Sequence, residues 1–165
     1  MVHLQGAGAE VMPIITFDLD STLADTRARR YLINREGPTD WRAYSMACSS
    51  DEPIAHTVAL WHALAPTYNL AIVTARNILA RGLTEEWLLK HHIRPDLLLM
   101  ASDEQATMDH GEYKKVRVLE AGRRLSGHVT LHIDDWPPVA DALAEIGVPC
   151  LMVTPPSSEG PGNYV

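Results

Sequence analysis

The sequence has few cysteines and no long apolar run, and these two features exclude several classes of protein. Its two cysteines, Cys48 and Cys150, are far apart and have no metal-ligand spacing, so we expect free thiols in a reducing compartment and no structural zinc site. No apolar run approaches the roughly 20 residues that a bilayer-spanning helix needs. Residues 1–13 also lack the basic and long apolar regions of a signal peptide. We therefore predict a cytoplasmic protein without a membrane segment.

Positive charge is scarce as well. Fourteen Lys and Arg residues stand against twenty-one Asp and Glu residues, which gives a formal net charge of -7. This balance argues against broad attraction to a nucleic-acid backbone or an anionic membrane, although a local basic patch is compatible with it. The sequence also lacks the G-x-x-x-x-G-K-[ST] loop that cradles phosphates. Any coupled 5'-phosphorylation would therefore need a separate kinase partner.

The composition fits one globular domain with a proper core. The chain has 165 residues, of which 46% are hydrophobic and 21% are charged. We predict a single domain over residues 1–165, with its core over 11–154. The segment 155–165 contains three prolines and two glycines, which predicts an irregular tail.

Short apolar runs alternate with segments of helical periodicity along the chain. The runs, each typical of a buried strand, are 11–17, 70–73, 97–100, 129–133 and 150–153. The helical patterns cover 54–65, 79–88, 116–125 and 139–146. Pro137 and Pro138 open the last helix and Gly147 closes it. The alternation predicts a parallel α/β sheet with right-handed crossovers, in a three-layer Rossmann-like arrangement.

Residues 24–52 interrupt this alternation after the first run. The segment is too long for a simple turn, and we predict a small helical insertion that includes a helix near 41–47. Because this insertion is compact and the link 93–109 is short, we expect no large cap domain. A crevice at the end of the sheet would then be open to a bulky substrate.

Reactive side chains collect at the predicted carboxyl ends of the strands. Ligands of open α/β sheets bind outside these ends, so we expect the side chains to share one crevice. Lys114 and Lys115 begin the helix that leads into the fourth run. The residues that follow the first, second and fourth runs are Asp18 and Asp20, Thr74 and Arg76, and Asp134 and Asp135.

Carboxylates gathered in one crevice repel one another unless a divalent cation lies among them. Oxygen-only ligands indicate Mg²⁺, which prefers one or two carboxylates together with water and phosphate oxygens. We expect Asp18 and Asp134 to bind the ion with a backbone carbonyl near Asp20. Asp135 would either support these ligands without touching the ion or bind the ion through water. Thr74 and a lysine would face the remaining phosphoryl oxygens.

These residues, in this order, resemble the four motifs of the haloacid dehalogenase (HAD) phosphatase superfamily. The matching positions are Asp18-Leu19-Asp20-Ser21-Thr22, Thr74, Lys114 or Lys115, and Asp134-Asp135. The segment 39–48 with Asp51-Glu52-Pro53 further resembles the phosphatase domain of bacteriophage-type polynucleotide kinase/3'-phosphatases. The resemblance implies a HAD-like fold and a Mg²⁺-dependent phosphomonoester hydrolase. Its substrate would be a 3'-phosphate on a nucleic-acid end or nucleotide.

The resemblance also implies a role for each matching residue. Asp18 would be the nucleophile that forms an aspartyl-phosphate. Asp20 would be the general acid and base, and its presence favours phosphate esters over phosphonates or halides. Thr74 and the lysine would hold the transferred phosphoryl group. The residues expected to bind substrate are Ser21, which stands where many relatives carry glycine, and Thr22, Ala75 and Arg76.

The sequence leaves the active-site lysine and the role of several arginines open. Lys114 shares its helix face with apolar residues, and we therefore prefer it to Lys115. Arg76 is equally compatible with a surface position and a substrate-facing one. For three further arginines we expect a solvated helical face rather than a guide for an anionic substrate. They are Arg27, Arg29 and Arg30.

Two aromatic residues and one histidine also have competing interpretations. Trp41 and Tyr44 would stack a base over the crevice or, as we prefer, anchor a helix. His132 precedes the acid pair on a strand, and we expect a packed, hydrogen-bonded histidine rather than a metal ligand.

Other functions compete with hydrolysis. A phosphoacceptor signalling module gathers similar residues, but it places its paired acids after the first strand, whereas here the D-x-D comes first and the acid pair last. A non-catalytic binding protein is disfavoured because the whole set is intact. Among enzymes, the acidic charge favours a small-molecule or 5'-nucleotide phosphatase as the alternative.

Overall fold

The computed structural model describes residues 12–154, and a five-stranded parallel sheet forms its centre. In chain order its strands are β1 (Ile14–Phe17), β4 (Asn69–Asn77), β5 (Leu97–Ala101), β6 (Val129–Asp134) and β7 (Cys150–Met152). A separate antiparallel pair comprises β2 (Ala24–Asp25) and β3 (Glu52–Pro53). The order in the sheet is β5-β4-β1-β6-β7, so β1 lies between β4 and β6. The carboxyl ends of these three strands are therefore neighbours.

Helices cover the sheet and begin close to where the sequence predicts them. They are α1 (Trp41–Met46), α2 (Ala55–Leu64), α3 (Arg81–Lys90), α4 (His110–Arg124) and α5 (Pro137–Ala144). The α4 helix starts six residues before the predicted 116, because the Asp109 side chain accepts a hydrogen bond from the Glu112 amide at 3.1 Å and caps it. Gly147, with φ +72°, follows the end of α5.

The side chains of alternate strand residues pack into two separate hydrophobic cores, one on each face of the sheet. Phe17 packs with Trp61 of α2 and Trp87 of α3 on one face of the sheet. Ile14 packs on the other face with Val118 of α4 and Val139 of α5. Every residue of β1 is buried, as expected for a central strand of a parallel sheet that helices cover on both faces. The predicted three-layer parallel α/β architecture is confirmed.

The predicted insertion, 24–52, is built from short pieces. A 3-10 helix, Thr26–Leu32, follows β2, and α1 and a second 3-10 helix, Ala47–Ser50, lead into β3. Because β2 pairs with β3, the segment starts and ends at one place beside the sheet. The predicted helix at 41–47 corresponds to α1.

Two further expectations concern the ends of the chain and the membrane. The predicted tail, 155–165, lies outside the described residues, as does residue 11 of the predicted core. None of the helices within residues 12–154 has the length and apolarity that a membrane crossing requires.

Candidate functional site

The carboxyl ends of β1, β4 and β6 open into a cavity of about 380 Å³. Most of the predicted site residues line it, although they come from four different elements. The predicted residues in its lining are Asp18, Asp20, Thr74, Ala75, Arg76, Lys114, Asp134 and Asp135. Ser21, Thr22 and Lys115 are placed differently and are described below.

Lys114 lies at the centre of the acidic residues. Its ammonium donates to Asp18 Oδ1 at 2.6 Å, to Asp134 Oδ2 at 2.9 Å and to the Val73 carbonyl at 2.8 Å. Burial alone would lower the pKa of Lys114, but the carboxylates of Asp134 and Asp18 outweigh it and hold the pKa above its usual value. The lysine is therefore charged and bridges the two acids.

Lys115, the other candidate for the active-site lysine, points away from this cluster, so the structure does not support a catalytic role for it. Its ammonium lies 2.7 Å from Glu112 Oε1 within α4 and 2.7 Å from Glu145 Oε2, and the second ion pair joins α4 to the turn after α5. Consecutive helix residues project about 100° apart, so only one of the two lysines can face the sheet. The preference for Lys114, drawn from the apolar residues on its face, agrees with this geometry.

Asp18, Asp134 and Asp135 form a cluster of oxygen atoms suited to a cation. One carboxylate oxygen from each lies within 4.8 Å of the others. Burial raises the pKa of Asp18, and Asp134 and Asp135 add to the rise while Lys114 opposes it. Burial and Asp134 likewise raise the pKa of Asp135 to about 7. One lysine thus does not neutralise three carboxylates, and an oxygen-only set short of positive charge fits Mg²⁺.

Asp20 points to a different set of partners, and its carboxylate does not belong to this cluster. Its Oδ1 accepts hydrogen bonds from Arg76 and from Arg29, the latter at 2.6 Å. Burial alone would raise the pKa of Asp20, but Arg76 and then Arg29 outweigh it and lower the pKa. The contribution to the metal expected at this position is a backbone carbonyl, and it stays a prediction.

Arg29 is buried, so the prediction of a solvated helical face is wrong for this residue. Only 1% of its side chain is exposed, and its guanidinium lies 4.2 Å above the ring of Tyr44. Beside Asp20, the guanidinium bonds both oxygens of Asp51, at 2.9 Å from Nε and 2.8 Å from Nη2. Arg27, by contrast, is exposed and bonds Asp25.

Arg76 is buried as well, which rules out the surface interpretation. Its Nη1 donates to Thr84 Oγ1 at 3.2 Å, and its Nη2 lies 3.3 Å from Asp51 Oδ2. Asp51 thus joins both arginines, a role that the sequence analysis did not predict, although Asp51-Glu52-Pro53 is part of the resemblance. It is 22 residues from Arg29, so no local spacing could have linked the two.

The turn after β1 places Ser21 in a backbone conformation that favours glycine. Ser21 has φ +66°, a left-handed conformation that glycine adopts without strain. Its hydroxyl is paired with that of Thr26 at 3.0 Å, while the Thr22 hydroxyl donates to Asp135 Oδ1 at 3.3 Å. Both side chains therefore support the turn and the acid cluster, and contact with substrate stays a prediction.

Two buried residues lie close to the carboxylates: Thr74, whose contact with a phosphoryl group stays a prediction, and His132, which is packed and hydrogen-bonded as the sequence predicts. Thr74 is buried, and its Oγ1 accepts a hydrogen bond from the Arg76 amide at 3.1 Å. His132 is fully buried and contacts Thr16 Oγ1 through Nδ1 at 2.8 Å and Asp134 Oδ2 through Nε2 at 2.9 Å. Burial lowers the pKa of His132, and its hydrogen bond to Asp134 only partly opposes the shift.

Apolar and aromatic side chains form the outer wall of the cavity. Trp41 and Tyr44 both line it, with ring centroids 5.6 Å apart in an edge-on contact. Tyr44 is buried and anchors α1, as preferred from the sequence, whereas Trp41 remains 46% exposed. The other wall residues are Ile33, Ala106, His110, Trp136 and Val139.

Comparisons with known proteins find likeness in structure only. No family model matches the sequence, and no curated protein sequence matches it. A chain in the structure of the Pnkp1/Rnl/Hen1 RNA repair complex matches with a TM-score of 0.66 and 24% identity, over 93% of this chain. The match spans only 46% of that chain, so this protein corresponds to less than half of its length.

Two further structures match over nearly their whole length. One is the haloacid dehalogenase-like hydrolase SP0104 from Streptococcus pneumoniae, with a TM-score of 0.64 and 17% identity, over 87% of this chain and 85% of that one. The other is a mutant of the HAD family enzyme bt-2542 from Bacteroides thetaiotaomicron, in complex with magnesium and inorganic phosphate. Its TM-score is 0.56 at 11% identity, over 90% of this chain and 96% of that one. The resemblance seen in the sequence is confirmed for the fold: the chain has the α/β fold of the haloacid dehalogenase-like hydrolases.

Proposed function

We propose that this protein is a Mg²⁺-dependent phosphomonoester hydrolase that works through an aspartyl-phosphate on Asp18. The observation that carries the proposal is the cluster of Asp18, Asp134 and Asp135 within 4.8 Å, joined to Lys114 at the end of β1. The three carboxylates would hold the ion, which would neutralise phosphoryl oxygens as a Lewis acid. Lys114 would hold one oxygen of Asp18 and orient the other toward phosphorus.

The proposed reaction has two steps, in which Asp18 exchanges bonds with phosphorus and Asp20 transfers the protons. An Asp18 oxygen attacks phosphorus, the bond from phosphorus to the ester oxygen breaks, and Asp20 gives its proton to the leaving oxygen. Asp20 then takes a proton from water, whose oxygen attacks phosphorus. The bond to Asp18 breaks, inorganic phosphate leaves, and the carboxylate of Asp18 is restored.

The two arginines on Asp20 fit its role as a base and constrain its role as an acid. They favour the ionised carboxylate, which is the form that activates water. To act as an acid, Asp20 needs a proton, and the negative charge of an incoming phosphate would favour its uptake. We infer that substrate binding favours the protonated form of Asp20 that the acid step needs.

For the substrate we propose a 3'-phosphate on a nucleotide or nucleic-acid end. The exposed face of Trp41 beside the acid cluster supports this choice, because a nucleobase stacks well on an aromatic ring. The fold shared with a chain of an RNA repair complex agrees with it. A separate kinase would then be a natural partner for 5'-phosphorylation.

The proposal is tested by measuring phosphate release from a panel of esters with and without Mg²⁺. The panel comprises a 3'-phosphorylated oligonucleotide, 3'- and 5'-mononucleotides and sugar phosphates, and Asp18→Asn is the control. We expect Mg²⁺-dependent release by the wild type alone, faster from 3' than from 5' positions. Equal rates for wild type and Asp18→Asn on every member would refute the phosphatase, and a 5' preference would refute the substrate class.

A further inference from the structure

The fully buried His132 lies behind the proposed metal site and joins two strands of the sheet. Its ring reaches Thr16 on β1 through Nδ1 and Asp134 on β6 through Nε2, at 2.8 and 2.9 Å. We propose that the Thr16–His132 pair is a positioning device that fixes the Asp134 carboxylate for Mg²⁺. This inference rests on the proposed function.

The direction of each hydrogen bond follows from the chemistry of the groups. An ionised carboxylate only accepts hydrogen bonds, so Nε2 of His132 must carry the hydrogen that faces Asp134. In a neutral ring Nδ1 is then an acceptor, and the Thr16 hydroxyl donates to it. The chain of donors therefore runs from Thr16 through His132 to Asp134, and it holds the ring in one tautomer and one orientation.

Asp134 receives two other donors besides His132. Lys114 donates to the same oxygen, Oδ2, at 2.9 Å, and the Trp136 amide donates to Oδ1 at 2.9 Å. A carboxylate has about four acceptor positions, and these three bonds leave one on Oδ1. Together the donors fix the plane of the carboxylate and the oxygen that remains for a cation.

A histidine satisfied in a core would make the same contacts without any effect on a metal. The two roles differ in one measurable respect. A purely structural histidine affects the free energy of unfolding but leaves the Mg²⁺ dissociation constant unchanged. A positioning histidine changes that constant, because partners that orient a ligand are worth about 10- to 100-fold in metal affinity.

The experiment measures the Mg²⁺ dissociation constant of variants by tryptophan fluorescence, since Trp136 follows Asp135. We expect His132→Ala to raise the constant about 10- to 100-fold. His132→Gln keeps an amide donor near the place of Nε2 and should recover most of the loss. Unfolding in EDTA, followed by circular dichroism, reports stability separately.

Two variants of Thr16 test the same inference if His132→Ala does not fold. Thr16→Val removes the hydroxyl at nearly constant volume, whereas Thr16→Ser keeps it. We expect weaker Mg²⁺ binding for Thr16→Val and the wild-type constant for Thr16→Ser. Unchanged constants in folded His132→Ala or in Thr16→Val would overturn the inference and leave the phosphatase proposal standing. A wild type that binds no Mg²⁺ would contradict the proposed function itself.

Discussion

Lys114 is the single cation that bonds directly to carboxylates of the acid cluster among the described residues. Its ammonium contacts Asp18 and Asp134 while buried from water, so its removal would leave three carboxylates without a counter-charge. Breaking a buried ion pair in this way costs roughly 3–5 kcal/mol. Lys115, one residue on, bonds only to surface glutamates.

We therefore expect Lys114→Met to lower kcat about 100- to 1,000-fold, as for the loss of one preorganised donor. Its free energy of unfolding in EDTA should fall by roughly 3–5 kcal/mol. Lys115→Met is the matched control and should keep the wild-type rate. Phosphate release and urea denaturation measure the two effects, and equal rates for the two variants would contradict the placement of Lys114.

Arg29 and Asp51 form a second buried pair, whose contribution is to stability. We expect Arg29→Met to lower the free energy of unfolding by roughly 3–5 kcal/mol, because Asp51 and Asp20 each lose a guanidinium partner. The double variant Arg29→Met/Asp51→Leu, which also removes the unpaired carboxylate of Asp51, should recover part of that lost stability. Arg27→Met, which alters an exposed arginine, should unfold like the wild type. Additive effects of Arg29→Met and Asp51→Leu in a double-mutant cycle would show that the pair does not interact.

The motif residues other than Lys114 were predictable from sequence because they lie at or near the carboxyl ends of strands, and strand ends of a parallel sheet meet at one edge. The burial of Arg29 and the role of Asp51 as its partner were not predicted, for a physical reason. Both residues lie in the insertion 24–52, whose pieces are too short for periodicity to define a buried face. The bonds of Arg29 to Asp20 and Asp51 depend on how β2 and β3 close that segment, which local sequence does not encode.

At the scale of elements, α1 places an aromatic wall beside the acid cluster. Its N-terminus is capped by Asp40, whose side chain accepts hydrogen bonds from the amides of Arg42 and Ala43. Tyr44 packs inward under Arg29, and Trp41 is left half exposed over the cavity. The helix thus links the exposed aromatic wall of the cavity to the arginine that bonds Asp20.

If a nucleobase stacks on Trp41, Trp41→Ala should weaken turnover of nucleotides selectively. Stacking of one base is worth about 1–3 kcal/mol, so we expect kcat/KM for a 3'-nucleotide to fall roughly 5- to 150-fold. For ribose 3-phosphate, which lacks a base, kcat/KM should not change. Tyr31→Ala, an exposed aromatic on the neighbouring 3-10 helix, is the control. A loss of equal size on both substrates would exclude stacking.

The strands and most helices were predicted closely, because buried runs and helical periodicity are direct consequences of a sheet covered on both faces. The start of α4 was missed since its first turn is polar and lacks apolar periodicity. Asp109 with Glu112 three residues later has the spacing of an N-terminal cap, and that signal would have located it.

At the scale of the whole molecule, the acid cluster makes stability depend on pH and on metal. In the metal-free protein the pKa of Asp135 is about 7, above its value of 3.8 in an unfolded chain. The native state therefore holds a proton that the unfolded chain has released, and the free energy of unfolding falls as pH rises between these values. Mg²⁺ binds the ionised carboxylates and offsets that loss.

We therefore expect Mg²⁺ to raise the melting temperature more at pH 8 than at pH 6, as measured by circular dichroism against EDTA. In Asp135→Asn the proton is absent, so the rise should depend less on pH. Equal rises at the two pH values in the wild type would contradict a cluster that Mg²⁺ must deprotonate.

The central claim, that Asp18 carries the phosphoryl group between the two steps, is tested most directly by rapid acid quench with a substrate labelled with ³²P in its phosphate. With excess enzyme and Mg²⁺, the account predicts transient ³²P on the protein, labile to hydroxylamine, located in the peptide that contains Asp18 and absent from Asp18→Asn. Release of labelled phosphate without any labelled protein, or label that persists in Asp18→Asn, would contradict it.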